Sequence, residues 1–419
     1  MDSRHEDSAR RDASTLPPST SSSAAYKLPV PVSSIAALSF AAFAAASSLR
    51  VTDAALTRIA AEFDLTLSAA SYAITMFSLA YGLCQLVFGP TGDRFGKVRV
   101  IGWVCTFSVF TALLCAWSPN YPALLVARAL AGIGGAAIVP LSMAWLGDVI
   151  PYERRQPVLA RFLAGQILGI AFGGLIGGFA ADHVGWRSAF LLIAVWYAVA
   201  AVMLMRVQRT LPAQALVKPI EGQSAIANMI SAMRDVVSRR WPRVILVTVF
   251  LEGATLFGAF AFIATHMHNR YGLSLTLAGG VALLFGAGGL AFAIASGWLV
   301  SRLGEIRLPL AGALLVGVSF LLIGLIPSAW LTLPCMFAAG TGFYMFHNSL
   351  QTQATQMVPE RRGAAVSLFA FCYFLGQSLG VVLAGYLLHL VDTGTVIALG
   401  GACVIAVGWG YARTRRRRA

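Results

Sequence analysis

Charged residues are scarce in this sequence, and acidic residues are rarer than basic ones. Charged side chains make up 11% of the 419 residues, hydrophobic side chains make up 58%, and 17 acids accompany 31 lysines and arginines. A soluble domain carries roughly 25% charged residues. This low charge content excludes an ordinary water-soluble fold. The long apolar runs are instead typical of helices that cross a lipid bilayer, each of which needs about 20 apolar residues.

The motifs of nucleotide, protease and metal chemistry are missing from the sequence. It has no Gly-x-x-x-x-Gly-Lys-Ser/Thr loop, which argues against direct use of ATP. It also has no His-Glu-x-x-His or Gly-x-Ser-x-Gly site. The six cysteines lack the spacing of metal ligands and fall within apolar runs. We therefore expect no enzyme activity, no cofactor, no metal site and no disulfide framework.

Alternation of polar and apolar residues with a period of two is missing from the long apolar runs, which excludes a membrane β-barrel. Helices are then the remaining way to satisfy every backbone hydrogen bond in lipid. Twelve spans are predicted, near residues 32–56, 69–88, 99–117, 121–146, 158–180, 188–206, 243–266, 276–299, 308–327, 330–355, 364–390 and 393–412.

The net charge of +14 follows the predicted membrane topology. With twelve spans, both ends of the chain lie on one side, and the loops on that side hold sixteen lysines and arginines. The loops on the other side hold three, Arg58, Arg187 and Arg270. This asymmetry predicts a plasma (inner) membrane protein with both termini in the cytoplasm. It also predicts attraction to anionic lipids of the inner leaflet rather than a nucleic-acid partner.

Composition divides the chain into two apolar halves with polar connections. Residues 1–30 are rich in Ser and Pro and are expected to form a disordered cytoplasmic tail, and residues 413–419 form a basic tail. Proline and charged residues interrupt the apolar pattern at 207–241. This segment is predicted to be a cytoplasmic linker, with a surface helix near 225–237, between six-helix bundles at 31–206 and 242–412.

The sequence contains a duplicated charged turn. The stretch Gly89–Arg99 places one acid and three bases between two apolar runs, and a weaker copy, Gly297–Arg307, follows 208 residues later. In the copy, Asp93 is replaced by Ser301, whereas the recurring residues are Gly89, Arg94, Gly96 and Arg99. Six helices separate the two copies, so both have the same orientation. This predicts a parallel repeat about an axis along the membrane normal, an arrangement used by transporters with a site between the halves.

The charged turn resembles the signature Gly-x-x-x-Asp-Arg-x-Gly-Arg-Arg between helices 2 and 3 of the major facilitator superfamily, and the resemblance covers residues from about 32 to 412. It implies an all-α integral membrane fold with 12 transmembrane helices in two six-helix bundles. It also implies a secondary active transporter that moves a small molecule by alternating access. Because a complete duplicated unit needs no partner to form its pathway, we expect a monomer.

The first copy of the turn is predicted to belong to a cytoplasmic gate. Gly89 permits close approach of helix 2 to a neighbour, and Gly96 permits a tight turn. Asp93 can pair with a helix N-terminus from the other half, where the helix dipole favours a carboxylate.

The gate is predicted to include the end of helix 4 as well. Arg94 can pair with Asp148, and the superfamily often has an acid and an arginine at the spacing of Asp148 and Arg155. The alternative is that the basic residues of this turn only fix the topology.

Arg128 lies inside an apolar run, Leu124–Ala136, that resembles the superfamily's helix-4 signature. A charge at this depth should face a cavity or a partner. Asp53, at a similar depth in helix 1, is the candidate partner, and Arg50 lies on the same helix face. In proton-coupled relatives a helix-1 acid and this arginine belong to the coupling machinery. The alternative is a static Arg50–Asp53–Arg128 cluster that locks helix 1 against helix 4.

Glu252 is an isolated acid near the middle of helix 7, and no base lies near it in the sequence. Such a carboxylate is a functional candidate, because it can carry a proton or meet a cationic substrate. The alternative is a neutral glutamic acid that is hydrogen-bonded to a neighbouring helix.

Helix 10 carries a polar stripe of Tyr344, His347, Asn348 and Gln351, whose spacing places them on one helix face. This stripe is a candidate lining of a substrate cavity. The same groups are also suited to hydrogen bonds between helices.

Helix 5 contains a glycine-rich stretch, Gly165–Gly178, that resembles the Gly-x-x-x-Gly-Pro-x-x-Gly-Gly signature of drug–proton antiporters, with Gly174 in the proline position. The resemblance implies proton-coupled efflux of small, partly apolar compounds. A glycine-rich packing face is the alternative explanation. Other functions left open are proton-symport uptake or export of a metabolite or sugar, and a membrane sensor that transports nothing.

Overall fold

In a computed structural model, residues 32–150, 152–211 and 225–418 are described, and they are almost wholly helical. Within these ranges, the side chains of residues 90, 93, 152–156 and 225–228 are not described. The predicted tail 1–30 and part of the predicted linker lie outside the described residues.

The helices are α1 (Val32–Glu62), α2 (Leu67–Ala70), α3 (Tyr72–Phe95), α4 (Lys97–Ala116), α5 (Tyr121–Ala136), α6 (Ile138–Val149), α7 (Tyr152–His183), α8 (Arg187–Thr210), α9 (Ala225–Ser238), α10 (Arg240–Glu252), α11 (Gly258–Phe260), α12 (Ile263–Tyr271), α13 (Leu275–Leu325), α14 (Ala329–Gln356), α15 (Arg362–Leu387) and α16 (Thr393–Arg416). A π-helical segment, Gly253–Phe257, joins α10 to α11, and a 3₁₀ turn, Pro359–Arg361, precedes α15.

Twelve membrane spans are present in the described part of the chain. Eleven helical stretches there are long and apolar enough to cross a bilayer. One of them, α13, has 51 residues and a non-helical Gly304 with φ 64° and ψ −175°. A straight helix of that length would measure about 76 Å, more than twice the hydrocarbon core of about 30 Å. α13 is therefore two spans that meet at Gly304, and the prediction of twelve spans is confirmed.

The two halves repeat the same path with an offset of 208 residues. α5 begins at Tyr121 and α14 begins at Ala329. The charged turn repeats with the same offset, because Gly96 has φ 91° and its counterpart Gly304 has φ 64°. Both values lie in the left-handed region that glycine tolerates best. Each half reverses direction at an equivalent glycine, so the predicted parallel repeat is confirmed.

Several helices begin at one face of the bundle with a side chain that satisfies their first N–H groups. Asn120 accepts a hydrogen bond from the Ala123 N–H at 3.0 Å, and Ser274 accepts one from the Leu277 N–H at 3.2 Å. Asp392 accepts one from the Thr395 N–H at 2.9 Å. We call this end of the bundle the capped face. The other end, which carries Lys97, Arg239 and Arg415, is the basic face.

Each half has its own apolar core. One large cluster of buried side chains is built almost entirely from residues before 212, and another almost entirely from residues after 235. Leu275 and Ala54 are the exceptions, because each packs with the core of the opposite half. α9 lies where the sequence pattern predicted a helix, and it places Val236 in the second core.

The glycines of α7 pack against helices of both halves. A Cβ atom added at Gly177 would lie 2.0 Å from the Val51 carbonyl oxygen of α1. One added at Gly178 would lie 2.0 Å from the Leu275 carbonyl oxygen of α13. Gly174, which stands where the antiporter signature has proline, faces Gly279 of α13. The glycine-rich stretch therefore forms a close-packed seam, as small residues commonly do between membrane helices.

The two halves contact each other from the middle of the bundle to the capped face. α7 packs against the first part of α13, and α3 packs against α15. Towards the basic face, a Cβ atom added at Gly89 or at Gly297 would have no heavy atom within 4 Å. The structure is thus closed at the capped face and has open space around both of these glycines.

Candidate functional site

Arg50 and Asp53 form an ion pair between the two halves. The Arg50 Nη1 atom lies 3.4 Å from Asp53 Oδ2, and both side chains are buried. The arginine carbon Cζ is 4.0 Å from the ring centre of Phe257 and 5.3 Å from that of Phe260, both in the second half. Arg50 and Asp53, which the sequence placed on one helix face, are in contact, and the pair faces the opposite bundle.

A small cavity adjoins this ion pair. It offers about 20 Å³ of space for water, enough for about one molecule. Arg50 and Asp53 line one side, Gly174 of α7 lies next to them, and Phe260 and Met336 of the second half close it. The cavity therefore lies at the junction of the two bundles, where the resemblance placed the transport pathway.

Arg128 is fully buried and is held by oxygen atoms of two other helices. Its guanidinium donates to the Ser48 carbonyl at 2.9 Å, to the Ala73 carbonyl at 3.1 Å and to Thr52 Oγ1 at 3.1 Å. The prediction that Asp53 is its direct partner is therefore wrong. Backbone carbonyls keep a second lone pair for a further donor, so they can hold a buried guanidinium without a carboxylate. Arg128 joins α5 to α1 and α3.

Glu252 and His347 form a second buried polar pair. His347 Nδ1 lies 3.0 Å from Glu252 Oε2, and Glu252 has no exposed surface. Glu252 ends α10 and the π-helical segment begins directly after it. Such segments are frequent at functional sites. The structure thus joins two candidates that the sequence had assigned separately, one to proton coupling and one to the cavity.

Aromatic rings surround the imidazole of His347. Phe343 stacks on it with centroids 5.1 Å apart, Tyr373 lies at 4.8 Å and Phe369 at 5.4 Å. These rings limit the access of water to the Glu252–His347 pair, of which His347 keeps 16% of its side-chain surface exposed. The reduced polarity strengthens the electrostatic interaction between the two side chains.

The other residues of the predicted helix-10 stripe do not join this pair. Tyr344 is half-buried and packs against Gly289 of α13. Asn348 is exposed, and Gln351 is half-buried. Of this stripe, His347 is the residue that the structure places at the buried carboxylate.

The predicted gate at the basic face has a different ion pair from the one expected. Lys97 Nζ lies 2.9 Å from Asp148 Oδ2, whereas Arg94 is exposed with its guanidinium 5.2 Å from the Phe95 ring. The expected Arg94–Asp148 pair is therefore absent from this conformation. Gly96 breaks the helix between the two bases, so Lys97 starts α4 and reaches the end of α6 instead.

The other four residues of the predicted gate have separate outcomes. The close approach expected at Gly89 is absent from this conformation, because a Cβ atom added there would have no heavy atom within 4 Å. Gly96 does adopt the left-handed turn. The side chains of Asp93 and Arg155 lie outside the described residues.

At the capped face, the halves are joined by Asp182. Its Oδ2 atom accepts hydrogen bonds from the N–H and from Oγ1 of Thr276, both at 2.7 Å. Asp182 lies in the last turn of α7 in the first half, and Thr276 lies in the first turn of α13 in the second. A carboxylate at a helix N-terminus is favoured by the helix dipole. The carboxylate cap that was expected from Asp93 at one face is thus seen at the other face.

Comparison with known proteins identifies the family. The sequence profile of the Major Facilitator Superfamily matches residues 38–381. The chain belongs to this superfamily. It is therefore an integral membrane protein and a secondary transporter, and members of the superfamily are not enzymes in general.

This superfamily member is similar to transporters from several bacteria. It is 23% identical to the "Uncharacterized MFS-type transporter YceJ" of Bacillus subtilis (strain 168), over 78% of this chain and 82% of that protein. It is 24% identical to the "Probable sugar efflux transporter" of Mannheimia succiniciproducens, over 88% of this chain and 91% of that protein. Among solved structures, a bacterial homologue of the human lysosomal transporter Spinster, in an inward-facing and unoccupied conformation, superposes with a TM-score of 0.71. That likeness has 17% identity, covers 92% of this chain and 98% of the other, and shows the shared fold.

Proposed function

We propose that this transporter couples export of small, partly apolar compounds to proton entry. The observation that carries the proposal is the state of two buried carboxylates. Asp53 Oδ1 and Glu252 Oε1 are buried without a hydrogen-bond partner among the described atoms, while the other oxygen of each faces a base. A buried carboxylate that is only half satisfied is costly in its charged form, and binding a proton removes the charge.

The arrangement of the halves supports transport by alternating access. They are packed together at the capped face, and open space surrounds the equivalent glycines near the basic face. The positive charge of the loops supports a cytoplasmic basic face, with both termini on that side. On this assignment the structure faces inward, and the transporter acts as a monomer in the plasma membrane, in contact with anionic inner-leaflet lipids.

Export of a sugar or other metabolite is the second candidate. It is favoured by the likeness to the Mannheimia succiniciproducens protein, whose name gives sugar efflux. The drug-type proposal is favoured by the glycine-rich stretch of α7. The two proposals share the proton chemistry and differ in the substrate.

Both candidates are tested with the purified full chain in proteoliposomes that contain a pH-sensitive dye. An acid-inside gradient is imposed, and ethidium or a panel of radiolabelled sugars is added outside. We expect one probe to accumulate inside and to drive protons out. Asp53→Asn and Glu252→Gln are each expected to abolish this proton movement, because neither amide can carry the proton.

Asp64→Asn is the matched control, because Asp64 is an exposed acid in a loop. It should behave like the parent protein. Accumulation of a probe with no proton movement would rule out proton coupling. Full coupling in both buried-site variants would remove these carboxylates from the mechanism.

A further inference from the structure

Gln377 of α15 is a buried amide that contacts two helices of the opposite half. Its side chain has no exposed surface. Its Oε1 atom lies 3.5 Å from Arg50 Nη2 of α1, and its Nε2 atom lies 2.9 Å from Ser78 Oγ of α3. One side chain of the second half thus joins the ion pair of the first half to a neighbouring helix.

The chemistry of its partners fixes the orientation of the amide. Arginine has donors and no acceptor, so the Gln377 oxygen must face Arg50. The NH₂ group then faces Ser78, whose hydroxyl can accept. The opposite orientation would place two donors against each other at Arg50.

Arg50 is shared between an acceptor in each half. It lies 3.4 Å from Asp53 on its own helix and 3.5 Å from Gln377 across the junction. Well-formed bonds between an arginine and an anionic oxygen are shorter, about 2.7–2.9 Å. The rigid guanidinium therefore sits between two acceptors, and a shift towards one lengthens its bond to the other.

We propose that Gln377 is the positioning residue through which the charge on Asp53 controls the contact between the halves. When Asp53 is charged, it draws Arg50 towards α1. When Asp53 holds a proton, that attraction is lost, and the Gln377 oxygen and the Phe257 ring hold Arg50 on the second half. Proton binding then favours the state in which the halves are joined at this depth and closed at the capped face. This inference rests on the proposed proton-carrying role of Asp53.

The other ionisable groups near Arg50 do not replace Asp53 in this exchange. Arg128 is held by two carbonyls and a hydroxyl, and Glu252 is paired with His347. Tyr344 and Tyr373 also lie within electrostatic range of Arg50, and tyrosines are neutral at physiological pH. Asp53 is the carboxylate in contact with the guanidinium.

The test measures the distance between the halves at acidic and at alkaline pH in the full chain. Spin labels are placed at two exposed positions near the capped face, Val184 and Leu277, after replacement of the native cysteines. In the parent protein we expect acid to shift the distances towards the closed state. Gln377→Leu should reduce the pH-driven change in the ratio of closed to open molecules by about fivefold or more.

Gln377→Glu supplies the opposite change and does not depend on folding of the leucine variant. At alkaline pH its carboxylate should compete with Asp53 for Arg50 from the second half, so the closed state should be more populated at that pH than in the parent. Gln353→Leu is the matched control, because Gln353 is also buried but its bond to Arg415 stays within the second half. It should retain the pH response of the parent.

A Gln377→Leu protein that folds and keeps the pH response of Gln353→Leu would overturn the inference, as would a Gln377→Glu protein with the distances of the parent. Proton-coupled transport is measured in parallel with Asp53→Asn. Loss of coupling there, together with a normal pH response in the Gln377 variants, would leave the proposed function intact and reject the role of Gln377. Normal coupling in Asp53→Asn would instead reject the proton-carrying role itself.

Discussion

Asp182→Ala is predicted to loosen the closure of the capped face. The Asp182 carboxylate accepts two hydrogen bonds of 2.7 Å from Thr276, across the junction of the halves. Each hydrogen bond to a charged group contributes roughly 1.5–3 kcal/mol when it is shielded. Because Asp182 is partly exposed, water competes for it, and we assign about 2 kcal/mol to the pair of bonds together. Both bonds exist only when the halves meet, so their loss should lower the ratio of closed to open molecules about 30-fold.

Asp182→Asn should have a smaller effect, because its amide oxygen can still accept from both donors. The variant loses the charge that strengthens those bonds and favours the helix N-terminus. A loss of about 1 kcal/mol corresponds to roughly a fivefold change in the same ratio. The order parent, asparagine, alanine is therefore part of the prediction.

The assay is the labelling rate of Ala282→Cys by a membrane-impermeant maleimide, in a background without native cysteines. Ala282 lines the cavity beside Arg50 and Asp53, so reagent from the capped face reaches it only when that face opens. Asp392→Ala is the control, because Asp392 caps α16 on the same face without joining the halves. Equal labelling rates in the parent and in Asp182→Ala, or an equal increase in Asp392→Ala, would refute the reasoning.

Three shorter predictions concern single residues. Gly96→Ala should lower thermal stability by about 1–2 kcal/mol because of its left-handed backbone. Gly89→Ala should raise it by about 0.5–1 kcal/mol, because Gly89 lies inside α3 and the added Cβ meets no other atom; melting shifts of the same sign would contradict this. Arg128→Lys should destabilise the protein by about 2 kcal/mol in a denaturation experiment, because one ammonium group cannot reach the three acceptors of the planar guanidinium. A hydrogen bond from the Thr395 N–H holds the pKa of Asp392 below its usual value. The parent protein should therefore melt at a higher temperature than Asp392→Asn above about pH 4, and this difference should disappear as the pH falls through the lowered pKa. A difference that grows in acid would contradict the prediction.

The spans and the repeat could be predicted from the sequence because their signals are local. The apolar runs predict the positions of the spans, and the charged turn with its copy predicts the division into two halves. The Arg50–Asp53 pair was also predictable, because residues three apart on one helix share a face. The glycine seam of α7 follows from the same helical spacing.

The partners across helices were not predictable in this way. Spacing gives the face of one helix but does not give its rotation against a neighbour. His347 meets Glu252 from a position 95 residues away, and Arg128 binds carbonyl oxygens, which every residue carries. Gln377 was missed, although a lone amide in an apolar run was a usable signal. Asp182 was missed because it lies near the end of a helix, where an acidic residue is common and does not indicate a functional site.

The offset of 208 residues has a consequence for the two buried polar pairs. The counterparts of Arg50 and Asp53 are Gly258 and Ala261, and the counterparts of Glu252 and His347 are Ala44 and Val139. Each half therefore has apolar residues where the other has its polar pair.

The two pairs also lie at different depths. Ala44, the counterpart of Glu252, precedes Asp53 by nine residues, which is about 13 Å along a helix. Each half thus holds one buried ionisable pair, the first nearer the capped face and the second nearer the basic face. A chain assembled from two copies of the first half would contain the Arg50–Asp53 pair twice and would lack the Glu252–His347 pair. The difference between the copies, rather than their symmetry, makes the two ends of the path chemically unlike.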